Sequence, residues 1–83
     1  MTAEKYRSKV MESMVGMAFG SVSDIQTYLK NIYSGEFVSV SDLQISDNNL
    51  ENNFVDVTLG ENEYYTLFLV QGRSGRYYIV EIG

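Results

Sequence analysis

Glu63-Tyr-Tyr-Thr-Leu-Phe-Leu-Val-Gln71, then Gly72-Arg-Ser-Gly75, then Arg76-Tyr-Tyr-Ile-Val-Glu-Ile82 is the stretch whose reading decides the fold. Two runs rich in aromatic and β-branched residues flank a short connection with two glycines, which is the pattern of an antiparallel hairpin. Side chains alternate along a strand. In the first arm Tyr65, Leu67 and Leu69 therefore share one face, and Tyr64, Phe68 and Val70 share the other. In the second arm Tyr78, Val80 and Ile82 line one face, and Tyr77, Ile79 and Glu81 the other. Both faces are apolar, whereas an antiparallel sheet covered on one side alternates cleanly. The second face needs a cover: a curl of the sheet, a second copy of the chain, or a partner.

Upstream of the hairpin, Phe54-Val-Asp-Val-Thr-Leu59 is a half-buried strand with Val55, Val57 and Leu59 facing in and Asp56 and Thr58 facing out. Gly60-Glu-Asn-Glu63 turns it into the hairpin. Residues 37–46 predict a further strand, but Val38 and Val40 alternate in the opposite phase to Leu43 and Ile45. A bulge or bend near Ser41-Asp42 reconciles the two halves. Ser46-Asp-Asn-Asn49 is turn chemistry.

The N-terminal third has helical spacing. Tyr6, Val10, Met14 and Met17, with Met11, Val15 and Ala18 beside them, predict a helix over about residues 3–19, capped by Thr2 and stopped by Gly20. Gly16 inside it implies a closely approaching neighbour, and the methionines read as core filling. Ile25, Tyr28, Leu29 and Ile32 fall at i, i+3, i+4 and i+7 on a second helix over about 22–33. Ser21 and Asp24 form its capping box, and Ser34-Gly35 stops it.

Composition narrows the function classes. The 83 residues contain no Cys and no His, so no disulfide, thiolate site or imidazole base is available. A hydrophobic fraction of 45% with 20% charged residues is that of a folded domain and not of a disordered chain. No stretch approaches the roughly 20 apolar residues of a membrane helix. A soluble, cytoplasmic chain forming one domain over residues 1–83 is expected.

The net charge is −5, and it is unevenly placed. Between Lys30 and Arg73 there is no basic residue, while Glu36, Asp42, Asp47, Glu51, Asp56, Glu61 and Glu63 are acidic. That distribution opposes direct nucleic-acid binding and suits either a solvated face or docking on a basic partner.

Residues for catalysis are few. Asp47-x-Asn49-x-Glu51 is faintly like a calcium loop, but Asn52 stands where Gly is required and Thr58 where Glu is required. Glu61 and Glu63 beside a turn are solvated carboxylates, and Arg73 and Arg76 flank the hairpin tip. No nucleophile stands with a base. No cofactor and no metal site is expected. Tyr64-Tyr65 and Tyr77-Tyr78 put one ring on each face and predict cross-strand aromatic pairs on both, with an exposed tyrosine patch on whichever face lacks helices.

The order of two helices and then strands ending in Tyr65 to Val70, the Gly72 to Gly75 tip and Tyr77 to Ile82 resembles the small cystatin-like and nuclear-transport-factor-like rolls. The step YLKNIYSGEF (Tyr28 to Phe37) is similar to the helix-then-glycine step of the second family. The resemblance implies an α+β roll. It carries no active residues, since the cystatin Gln-x-Val-x-Gly and Pro-Trp loops are both absent.

The expected fold is α+β: two N-terminal helices packed on a curved four-stranded antiparallel meander, strands about 37–46, 54–59, 63–71 and 76–82. The expected function is a non-enzymatic, acidic binding module, such as an inhibitor, docking on a basic protein surface. Its candidate contacts are Asp42, Asp47, Glu51, Asp56, Glu61, Glu63, Tyr64 and Tyr77. The alternatives are a self-associating roll (a homodimer) that binds a small apolar ligand, or a structural subunit.

Overall fold

The computed structural model of the chain describes residues 3–33, 43–59 and 63–83. In chain order the elements are helix α1 (Ala3–Glu12), strand β1 (Ala18–Phe19), helix α2 (Val22–Ile32), strand β2 (Leu43–Ser46), a 3-10 turn (Leu50–Asn52), and strands β3 (Phe54–Leu59), β4 (Glu63–Gln71) and β5 (Tyr77–Ile82). The architecture is α+β, with a curled antiparallel sheet in the order β1-β5-β4-β3-β2. The meander from β2 to β5 follows the expectation. The fifth strand, β1, does not. The expected strand residues 37–42 and the bulge expected there, the expected cap at Thr2, the expected stop at Ser34-Gly35 and the expected turn at residues 60–62 all lie outside the described residues.

The first helix is shorter than its spacing predicts, ending at Glu12 and not near residue 19. Tight turns follow, with the N–H of Met14 donating to the Met11 carbonyl and that of Met17 to the Met14 carbonyl. Gly16 sits between them at φ +93°, a conformation that side chains with a Cβ rarely adopt. Its N–H donates to the Ile79 carbonyl at 2.7 Å, and the Ile79 N–H donates to the Met17 carbonyl at 2.9 Å. Ala18 and Phe19 then pair with Tyr78 and Tyr77. The open backbone edge of β5 thus outcompetes the helical period. Gly16 is needed for the turn and not for a close neighbour, since a Cβ there would meet nothing within 4 Å. Gly20 correspondingly ends β1, not a helix.

The second helix follows its sequence signals. Ser21 caps it by accepting the Asp24 N–H at 3.1 Å, Ile25 and Leu29 are fully buried, and Phe19 meets the Tyr28 ring edge-on with centroids 5.5 Å apart. The Tyr33 N–H donates to the Leu29 carbonyl at the other end.

One irregularity sets which residues of the hairpin face inward. Leu69 pairs with Ile79, but the preceding Phe68 pairs with Glu81, so Val80 is an extra residue in β5. A bulge of this kind flips the alternation beyond it. Tyr77, Ile79 and Ile82 consequently join the helix-covered core together with Tyr65, Leu67 and Leu69 of β4. The strict alternation that groups Ile82 with Tyr78 and Val80 is corrected by that one residue. Val55, Val57 and Leu59 face in, as expected, and Met11, Ile25 and Leu29 of the helices, with Met14 and Tyr33 just past the helix ends, close the core.

Candidate functional site

The outer face of the sheet is built by the other half of each strand. On β4 it presents Tyr64, Thr66, Phe68 and Val70; opposite them stand Thr58, Asp56 and Phe54 of β3, and Glu81 and Tyr78 of β5. Tyr64 is 68% exposed, Val70 52%, Val80 49%, Tyr78 41% and Phe68 37%. These five of the large exposed apolar side chains belong to two neighbouring strands and form one stripe. Phe54 and Phe68 are its cross-strand aromatic pair, ring centroids 6.0 Å apart and tilted at 50°. The expected tyrosine pairs do not form: Tyr64 stands opposite Thr58, Tyr65 opposite Val57, Tyr78 opposite Val70 and Tyr77 opposite Gln71. An antiparallel hairpin places the start of one arm beside the end of the other, so the two Tyr-Tyr steps lie at opposite ends of the ribbon.

Charge on this face has one sign. Among the described residues no Lys or Arg stands in any strand, and the charged strand residues are Asp56, Glu63 and Glu81. Asp56 is half-buried on the outer face, where it accepts the Thr66 hydroxyl at 3.3 Å and lies 3.5 Å from the Asn49 amide nitrogen. Asp47 and Glu51 are exposed in the β2–β3 connection that leads into Phe54. Arg73 and Arg76 are exposed in the turn at the far end of the stripe.

The sequence-predicted contacts are therefore divided. Tyr64 and Asp56 share the outer face, with Asp47 and Glu51 in the adjoining connection. Glu63 and Tyr77 belong to the inner side, where Tyr77 packs against the core. Asp42 and Glu61 lie outside the described residues. Phe68, Val70, Tyr78, Val80 and Glu81 were not among those contacts, although alternation alone groups Tyr64, Phe68 and Val70.

Glu63 is tied up instead of solvated. Arg7 on α1 donates from Nη2 to Oε1 at 2.7 Å and from Nε to Oε2 at 2.9 Å, and the Tyr65 hydroxyl donates to Oε2 at 3.0 Å. Arg7 thus reaches across 56 residues of sequence to pin α1 to β4. The Tyr33 hydroxyl donates to the Arg7 carbonyl at 3.0 Å, so α2 joins the same clasp. The Arg7 guanidinium holds the Glu63 carboxyl below its ordinary value. Burial, reinforced by the bond to Glu63, pushes Tyr65 up to about 12, and burial raises Tyr33 as well. No local pattern marks this clasp, because its partners meet only through the fold.

Chemistry-bearing clusters are scarce. Among the described residues no three carboxylates gather as a metal site, and no buried side-chain polar atom lacks a partner. An open hollow beside α1 is lined by Lys5, Ser8, Lys9 and Glu12, charges of both signs, not by an enclosed apolar wall. No helix among the described residues is long and apolar enough to cross a membrane. A scan against protein-family models, a search of curated proteins and a search of solved structures each find no match to this chain.

Proposed function

We propose that this chain is a non-enzymatic protein-binding module whose outer sheet face docks on a partner with an apolar centre and a basic rim. The observation that carries the reading is the stripe Tyr64, Phe68, Val70, Tyr78 and Val80, exposed on one face of β4 and β5. Scattered apolar residues are normal on a surface; a contiguous stripe with aromatic members is the composition of a docking face. The acidic partners on that face, Asp56 and Glu81, favour a basic surface and oppose an anionic one.

Size argues for including the acidic connection. Three strands about 4.8 Å apart and some six residues long at about 3.3 Å per residue give roughly 300 Å² of projected face. A stable protein interface takes about 800 Å² from each partner. The Asp47–Glu51 connection beside Phe54 supplies the nearest further surface, and it carries the sign that a basic rim would meet.

The test is capture from native lysate with the wild-type chain and with a Tyr64→Ser/Phe68→Ser/Val70→Thr variant, followed by salt titration of any specific partner. The reading expects a partner lost with the variant and released progressively as salt rises. A partner held equally by the variant, or indifferent to salt, overturns it. A wild-type dimer on a sizing column that the variant turns into a monomer would favour self-association through the same face.

A further inference from the structure

A separate part of the sheet, its edge at β2, which no other described strand pairs, suits a different mode of contact. The strand order ends on β1 at one side and on β2 at the other. Exposed edges offer unpaired N–H and C=O groups to any extended chain, and proteins commonly blunt them with short strands, Lys, Pro or bulges. The β1 edge is blunted: it is two residues long and runs at once through Gly20-Ser21 into α2. The β2 edge is itself only four residues long, but among the described residues it carries no Lys, Pro or bulge. Leu43-Gln-Ile-Ser46 pairs with Leu59 to Asp56 in unbroken register, and it contains no charge, Pro or Gly. In an antiparallel ladder alternate residues direct their backbone groups away from the partner strand, so half of the backbone groups of β2 point outward.

We propose that β2 accepts an extended segment of a partner chain as a sixth strand, one with apolar residues at alternate positions and Lys or Arg beyond its ends. The apolar positions follow from Leu43, buried, and Ile45, half-buried, on the core side of β2 above α2, which packs beneath this strand. The basic ends follow from charge. Asp47 stands one residue past the strand, and every charged residue between Asn31 and Gly72 is acidic. A second copy of β2 brings a second Asp47 and no cation to the junction, and like charges across paired strands destabilise them. A cationic segment from elsewhere gains where a copy of the chain loses. Strand addition of this kind takes its affinity from main-chain hydrogen bonds and its specificity from alternate side chains.

The experiment is amide hydrogen exchange on the full chain, with and without the peptide Lys-Val-Thr-Val-Thr-Val-Lys, and with the same peptide ending in Glu. In the free chain, alternate amides of residues 43–46 exchange fast. The Lys-ended peptide slows them at least tenfold, and the Glu-ended one binds at least tenfold more weakly. Gln44→Lys, on an exposed outward-facing side chain, keeps the fold and abolishes that protection. The Tyr64→Ser/Phe68→Ser/Val70→Thr variant still takes the peptide, which separates failure of this inference from failure of the outer-face reading. Four results overturn it: slow exchange of every β2 amide in the free chain, concentration-dependent protection without peptide, equal binding of both peptides, or protection confined to β4 and β5.

Discussion

The two faces of β4 are made of nearly the same material and have opposite fates. Tyr65, Leu67 and Leu69 point at the helices, and Leu67 is completely buried; Tyr64, Phe68 and Val70 alternate with them and point away. Composition does not separate the two sets. What separates them is the cover: α1 and α2 both lie on one side, and the clasp of Arg7, Glu63, Tyr65 and Tyr33 fixes α1 there. The lesson is that an apolar strand residue becomes core only through what the rest of the chain lays over it. The uncovered set remains apolar and partly exposed, which is the reason for assigning it to a partner.

Substitutions that treat the two faces alike sharpen this contrast. The largest effect is expected for Leu67→Ala, where lost burial and a cavity cost about 2–5 kcal/mol in chemical denaturation. Val70→Thr on the opposite face should stay within about 0.5 kcal/mol; equal losses at both positions would break the comparison. Gly16→Ala comes next. Its positive φ makes a Cβ strained although space is open, so a loss of about 1–2 kcal/mol is expected, read from the denaturation midpoint.

The clasp predicts a dependence on pH. The folded Glu63 carboxyl is held below its unfolded value, so its contribution is complete above the ordinary carboxylate range and is lost as pH falls through the lowered value. Tyr65 has the opposite sense: its contribution is complete below the unfolded tyrosine value of 10.0 and is lost as pH rises through about 12. Thermal melts across pH should show both slopes, and Arg7→Met should flatten the acidic one while removing about 1 kcal/mol near neutrality. An unchanged acidic slope in that variant would mean that other carboxylates set it. The smallest loss is expected for Ser21→Ala, about 0.5–1 kcal/mol for one exposed cap.

Local periodicity makes much of the fold legible in the sequence. The second helix, β3 and both arms of the hairpin follow from spacing and turn residues near one another in the chain. The end of the first helix was not legible, because Met14 and Met17 continue a helical period that the free edge of β5 overrides through Gly16. The bulge at Val80 was equally hidden: nothing in Tyr-Tyr-Ile-Val-Glu-Ile marks one residue as extra, yet it moves Ile82 into the core. Of the candidate site, the surplus of apolar residues on two faces was legible from alternation. Which face lies open was not, since that depends on where the helices pack. The engagement of Glu63 is hidden for a related reason, as Arg7 is close to it only in space.

The central claim, that the outer stripe is open in the free chain and closed by a partner, is tested most directly by methyl relaxation with a soluble paramagnetic agent. In the free monomer the Val70 and Val80 methyl signals should broaden strongly while those of Leu67 and Ile79 do not, and adding the partner should restore the valine signals. Val70 and Val80 methyls already shielded in the isolated monomer, or unaltered by a bound partner, would contradict the account.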